Sequence, residues 1–201
     1  MKKIAAVFFA VTLFSSALFA EKNLVVNFSL YGNQKNILTD ENTGASRMIY
    51  KDDKITGLTS ILADKIHERV GGDTLFIETE ERYADGYMAV LKACKAEQGN
   101  HIPITTKADL SEYDNIFLGY PTWWSDLPMG VYTFLEENDF TGKNIYLFCT
   151  SGGSGFVKTI DAVKNTAKGA KVSSVGLHIY QDDVKKSDKD IDRWLKDIGI
   201  N

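Results

Sequence analysis

Gly119-Tyr120-Pro121-Thr122-Trp123-Trp124-Ser125-Asp126-Leu127-Pro128 holds two of the chain's three tryptophans and two of its three prolines. It follows Tyr113-Asp114-Asn115-Ile116-Phe117-Leu118, a short apolar run that reads as a buried strand, and it precedes the helical spacing of Val131, Phe134 and Leu135. In an open α/β sheet, ligands bind in the loops beyond the carboxyl ends of the strands. A rigid aromatic wall at that place fits a planar ligand. Two indoles that simply cap the core are the other reading, and position alone favours the first.

Working outward, the same strand-then-helix alternation recurs on both sides. Asn23-Leu24-Val25-Val26-Asn27-Phe28-Ser29 has the density of Val, Leu and Phe expected of a central strand. A polar stretch, Tyr31 to Lys54, follows without helical period and is expected to be an excursion loop with at most a small hairpin. Helical period returns at Leu58, Ile61, Leu62, Ile66 and Val70, with Thr56 as cap and Gly71 as stop. Asp73 to Glu78 is the second strand, and Tyr87, Val90, Leu91 and Cys94 share a helical face. Asn144 to Cys149 is the fourth strand, closed by Thr150-Ser151-Gly152-Gly153-Ser154-Gly155, with Phe156, Ile160 and Val163 on the helix after it. Val175, Leu177 and Ile179 alternate in a fifth strand. A last helix capped by Ser187, with Asp190 three residues on, buries Ile191, Trp194, Leu195 and Ile198. Five strands alternating with five helices predict a parallel sheet covered on both faces through right-handed crossovers.

The chain has 201 residues, 44% hydrophobic and 25% charged, which suits one globular domain. Its formal charge of -4 argues against a polyanionic partner such as nucleic acid. Residues 1–20 carry Lys2 and Lys3, the apolar run Ile4 to Phe14, and small residues before Glu21-Lys22. That pattern reads as a secretory signal peptide, the apolar run being short of the ~20 residues a membrane span needs. The expected organisation is therefore a leader at 1–20 and one domain at 21–201, with an insertion at about 31–54. Without Lys2 and Lys3 the 23 basic residues fall to 21 against 27 acidic, a charge of -6. The expected location is periplasmic or extracellular, with no membrane attachment after cleavage.

Leu118-Gly119-Tyr120-Pro121-Thr122-Trp123-Trp124 and Phe148-Cys149-Thr150-Ser151-Gly152-Gly153-Ser154-Gly155 resemble the two flavin-ring loops of the flavodoxin superfamily, in particular a branch with a paired-Trp loop. The resemblance spans about Asn23 to Ile198. It implies a flavodoxin-like three-layer sandwich, a five-stranded parallel sheet in the order 2-1-3-4-5, and bound FMN. It assigns ring contacts to Pro121, Thr122, Trp123, Trp124 and Ser125, and ring-edge contacts to Thr150, Ser151, Gly152, Gly153, Ser154 and Gly155. An aromatic from the first loop is expected to stack on the isoalloxazine. Independent chemistry agrees, because a flavin has two apolar faces and a polar edge, and three glycines let backbone amides approach that edge.

The resembling family binds the phosphate on a Ser/Thr-rich loop between the first strand and the first helix, and two segments compete for that role. Phe28-Ser29-Leu30-Tyr31-Gly32-Asn33-Gln34 directly follows the strand but no helix follows it. Thr56-Gly57-Leu58-Thr59-Ser60 opens the helix but carries Leu58 where the motif has Asn. A split site is expected, with Ser29 from the strand end and Gly57, Thr59 and Ser60 from the helix start. The family often has Gly after the tryptophans, at a peptide that turns on one-electron reduction. Ser125 stands there, so a turn through positive φ is expected to be penalised, and Asp126 to add negative charge beside the ring.

Other chemistries find little support. His67, His101 and His178 are isolated, without metal-ligand spacing, and Gly152-Gly153-Ser154-Gly155 lacks the spacing of a nucleophile elbow. No catalytic residue and no metal are assigned. Cys94, placed late in a helix antiparallel to the strands, and Cys149, at a strand's carboxyl end, are expected at opposite edges and hence unbridged. The leading expectation is an exported, monomeric FMN protein passing electrons to a redox partner protein or a small-molecule acceptor. An NAD(P)H-dependent quinone or flavin reductase, and a module of this shape that has lost FMN, are the alternatives.

Overall fold

A computed structural model describes residues 21–36, 46, 48–51 (backbone alone) and 54–200. The leader expected at 1–20 and half of the insertion's polar stretch lie outside the described residues. Six parallel strands form the main sheet: β1 (Asn23–Asn27), β4 (Asp73–Phe76), β5 (Asn115–Pro121), β6 (Asn144–Ser151), β7 (Lys171–Val172) and β8 (Leu177–Tyr180). Their order is β4-β1-β5-β6, with β7 and β8 sharing the far edge of β6. Counting that shared edge once gives the predicted order 2-1-3-4-5.

Every residue of β5 is buried, as a central parallel strand covered on both faces requires. Alternate side chains divide between two cores. Leu24, Val26, Ile116, Leu118, Tyr120, Ile145 and Leu147 face α2 (Tyr87–Ala96), α3 (Met129–Glu137) and α4 (Thr159–Thr166). Val25, Phe117, Phe148, Leu177 and Ile179 face α1 (Leu58–Val70) and α5 (Asp188–Asp197). Gly119 is needed in β5 because a β-carbon there would overlap the Phe148 ring.

Four local expectations are corrected. The first helix is capped by Gly57 rather than Thr56, because Thr56 belongs to a hairpin in which β3 (Lys54–Gly57) pairs antiparallel with β2 (Met48–Lys51) and runs directly into α1. The fifth strand is broken into β7 and β8, leaving Val175 exposed. The break falls where the Phe156 ring and the Leu147 carbonyl leave no room for a β-carbon on Gly176. Ser187 stands at the start of α5, but its hydroxyl donates backwards to the Val184 carbonyl (2.8 Å) and does not cap the helix.

The direction of α2 is the largest departure. The phenol of Tyr83, at the carboxyl side of β4, donates to Glu97 at the far end of α2 (2.9 Å), and Lys95 reaches Trp124 beyond the end of β5. The carboxyl end of α2 is therefore at the same sheet edge as the ligand loops. An extended segment then carries the chain back along the continuation of β4. Glu80 N–H donates to Pro103 O (3.0 Å) and Thr105 N–H to Glu78 O (2.8 Å). Cys94 is consequently not at the strands' amino ends, although Cys94 and Cys149 are both free and buried. Burial raises both thiols, Cys149 to about 12, so neither is a thiolate at neutral pH.

Candidate functional site

Three loops meet at the carboxyl edge of the sheet: the start of α1, the turn after β5 and the glycine loop after β6. Direct bonds stitch them together. Thr122 N–H donates to Thr150 O (2.9 Å), Thr122 Oγ1 donates to Gly155 O (2.8 Å), and Thr59 and Thr150 share a buried hydroxyl bond (2.9 Å). Residues separated by 91 positions in the chain thus face one another.

At the start of α1, Ser29 and Gly57 are in such close approach that any β-carbon on Gly57 would overlap the serine hydroxyl. Asn27 Nδ2 donates to Ser60 Oγ (3.1 Å), fixing the first turn of the helix against β1. Among the described residues no side chain caps α1, and its first turn carries no acidic residue. A 13-residue helix then presents amide donors and the positive end of its dipole to an anion. In the competing segment, Asn33 is already committed elsewhere. Asn33 Nδ2 donates to Ser29 O (2.9 Å) and Ile77 O (3.0 Å), while its Oδ1 accepts from Thr79 N–H (2.8 Å). Asn33 is a fully buried bracket between β1 and β4, with nothing left for a ligand.

After β5 the chain makes a two-residue hairpin. Trp123 and Asp126 exchange backbone bonds of 3.0 and 2.9 Å, while Trp124 and Ser125 between them have φ of 50° and 62°. Positive φ at both central residues is the pattern of a type I′ turn, which favours Asn and Gly. The penalty expected at Ser125 during a change of state is therefore already present in the resting turn. Asp126 holds it: Oδ1 accepts from Leu127 N–H (2.9 Å) and from the Tyr132 phenol (2.7 Å), and Oδ2 pairs with Lys158 Nζ (2.8 Å). Its charge is thus compensated locally and is not the free negative charge expected beside the ring. Burial, and then the Asp126 carboxylate, push the Tyr132 phenol far up, so it remains a donor.

The two tryptophans divide their roles. Trp123 is half-buried, meets Phe28 and Tyr83 edge to face at 5.3 and 5.5 Å, and donates its indole N–H to Ser46. Trp124 is 43% exposed, with the Lys95 ammonium 5.0 Å from its ring centroid. Pro121 and Thr122 are buried beneath the turn, and Ser125 is exposed at its tip.

The loop after β6 achieves its shape differently. Gly153 and Gly155 take φ of 119° and 64° without a β-carbon penalty, and both amides donate to Ser151 Oγ (3.1 and 2.9 Å). Gly152 packs beside the Gln181 side chain, whose Oε1 is buried without a partner, and Ser154 is exposed. His178 Nε2 lies 2.7 Å from Ser151 Oγ, so this histidine is not isolated.

The family model described as Flavodoxin matches residues 53–198. The chain belongs to the flavodoxin family. The match begins just ahead of β3, at the end of the expected insertion, so β1 is outside it and takes its place through its pairing with β4 and β5. Among solved structures, a flavoprotein from Bacteroides eggerthii is 24% identical, covering 90% of this chain and all of its own, with a TM-score of 0.64. One from Bacteroides uniformis is 22% identical over 89% of this chain and 99% of its own, at 0.65. A flavoprotein from Lactobacillus acidophilus, solved in complex with FMN, is 19% identical over 87% of this chain and 99% of its own, at 0.56. At these identities the likeness is one of fold. Comparison with curated proteins returns no match.

On this flavodoxin frame the sequence located the three loops, while Lys95, Asp126's partners and His178 emerge only from the structure. Lys95 and Tyr132 come from helices, and no local motif marks their approach to the turn.

Proposed function

We propose that this flavodoxin binds FMN and acts as an exported carrier of electrons between partners. The convergence of an uncapped helix start, an exposed indole and a loop of backbone amides carries the reading. Each matches one part of FMN: phosphate, ring face and polar ring edge. Ser29, Gly57, Thr59 and Ser60 would hold the phosphate, through hydroxyls and the amides of α1. Trp124, whose neighbour already fills the packing role, would cover one face of the ring. The amides of the Thr150 to Gly155 loop other than those of Gly153 and Gly155, which Ser151 holds, would approach its edge. FMN when bound supplies one- and two-electron chemistry. The chain's own contribution is to bind, orient and exclude water, with Asp126 and Ser151 holding the two ring loops in shape.

The Lys2-Lys3 and apolar pattern of residues 1–20 supports export. Among the described residues no helix is long and apolar enough to cross a membrane. An acidic chain fits encounters with a positively charged redox partner, because complementary charge raises encounter rates without demanding tight binding.

The visible spectrum of the purified protein, with and without added FMN, tests this reading. Flavin bands that stay with the protein through gel filtration, and no oxidation of NADH or NADPH with quinone or free flavin as acceptor, are expected. Steady nicotinamide oxidation would replace the carrier with a reductase. A protein that stays colourless with excess FMN would leave a binding module of flavodoxin shape.

A further inference from the structure

His178 lies in β8, opposite Cys149 in the register with β6. Its bond to Ser151 at first resembles the pairing of a nucleophilic serine with its base. The surroundings exclude that role. Ser151 is fully buried, and its oxygen already accepts the amides of Gly153 and Gly155. A serine hydroxyl has two acceptor lone pairs and one proton. With both lone pairs engaged, only the proton remains for the imidazole. Nε2 of His178 is therefore the acceptor, and the ring is neutral with its proton on Nδ1. Burial lowers the basicity of this imidazole, the direction that keeps it neutral.

We infer that His178 is a positioning residue for the flavin loop: by accepting the Ser151 proton it orients that hydroxyl, which in turn fixes the Gly153 and Gly155 amides. The inference rests on the FMN reading above and deepens it. The loop needs such a support because glycines at positive φ have no stiffness of their own. Thr122 secures Gly155 from the β5 side through the glycine's carbonyl, and Ser151 secures it from the β6 side through its amide. Without an acceptor at position 178, the Ser151 proton turns to other partners and one lone pair is lost to the glycine amides. The loop then samples other shapes, and those of its amides that Ser151 does not hold are no longer pre-placed for a ligand.

Two variants and one spectrum test this. Glutamine at position 178 can place an accepting Oε1 where Nε2 stands, whereas leucine of similar volume cannot. Long-range proton–nitrogen NMR of the FMN-free protein at neutral pH should show His178 as the Nδ1–H tautomer. FMN dissociation constants should rise about tenfold in His178→Leu, the worth of one buried hydrogen bond, and return to within about threefold of wild type in His178→Gln. An Nε2–H tautomer or an imidazolium in the wild type would overturn the inference. So would leucine binding FMN as the wild type does, or equal losses in both variants. A wild type that shows the expected tautomer but binds no FMN would overturn the functional reading while leaving the geometry of the pair intact.

Discussion

The two ring loops reach similar ends by opposite means. After β5, positive φ falls on Trp124 and Ser125, residues that resist it, and Asp126 restrains the turn through Leu127, Tyr132 and Lys158. Within Thr150 to Gly155, positive φ falls on Gly153 and Gly155, which accept it freely, and Ser151 gathers their amides, while the left-handed Val157 (φ 47°) lies beyond that loop, just ahead of α4. The first loop is strained and externally clamped, and presents a large aromatic face. The second is unstrained over its glycines, with strain deferred to Val157 beyond them, is internally gathered, and presents backbone. A face can be displayed only by a residue with a side chain, so strain is the consequence of putting an indole at the tip of a tight turn.

The comparison breaks first at Trp123. If it is the packing member of the pair, Trp123→Ala should lower the free energy of unfolding by about 3 kcal/mol, through loss of its contacts with Phe28 and Tyr83. Chemical denaturation measures this. A loss comparable to that of Trp124→Ala would remove the division of roles.

The clamp is next. Asp126→Ala should cost about 2 kcal/mol, since it releases Tyr132 and a charge-assisted bond to Lys158 at a mostly covered carboxylate. If the clamp opposes backbone strain, that cost should shrink when Ser125→Gly is present, and a double-mutant cycle reads the coupling. Strict additivity would mean that the turn needs no restraint. Ser125→Gly alone should stabilise the protein by up to about 1 kcal/mol by relieving a left-handed residue. A fall in stability on this change would show that Ser125 makes a contribution greater than its strain.

The smallest effect belongs to the second loop and to pH. His178 has a folded-state pKa below the ordinary value of 6.5. A group with a depressed folded pKa favours folding while it is neutral. Its contribution is full above 6.5 and is lost as pH falls through the folded value. Stability followed from pH 7.5 to 5 should therefore show an acid slope that His178→Gln reduces. An unchanged slope in that variant would assign the acid sensitivity to other groups.

These contrasts also mark what the sequence could convey. Apolar runs such as Leu24 to Phe28 and Ile116 to Leu118 identify buried parallel strands because no other element of that length hides both faces, and the strand order followed. Gly152, Gly153 and Gly155 announce a loop built from backbone. Position alone could not separate Trp123 from Trp124, since the difference depends on Phe28, Tyr83 and Ser46 meeting one indole and Lys95 the other. Lys95 is hidden because helical period fixes a face but not a direction, and an ordinary crossover helix runs antiparallel to its strands. The extended return along Glu78 to Glu80, which reverses that expectation, has no periodic signature. His178 reads as isolated for a related reason, its partner being 27 residues away on a neighbouring strand. Asn33 misled in the opposite sense, carrying the look of a phosphate motif while serving as a bracket.

The central claim is that Trp124 offers its exposed face to FMN while Trp123 holds the structure. It is tested most directly by titrating the FMN-free protein with FMN and following the quenching of flavin fluorescence. The account predicts one site, with affinity reduced by roughly 1 to 3 kcal/mol in Trp124→Ala, from lost ring contact and buried area, at nearly unchanged thermal stability. Undiminished affinity in Trp124→Ala would contradict it, as would an equal and small change in both single variants.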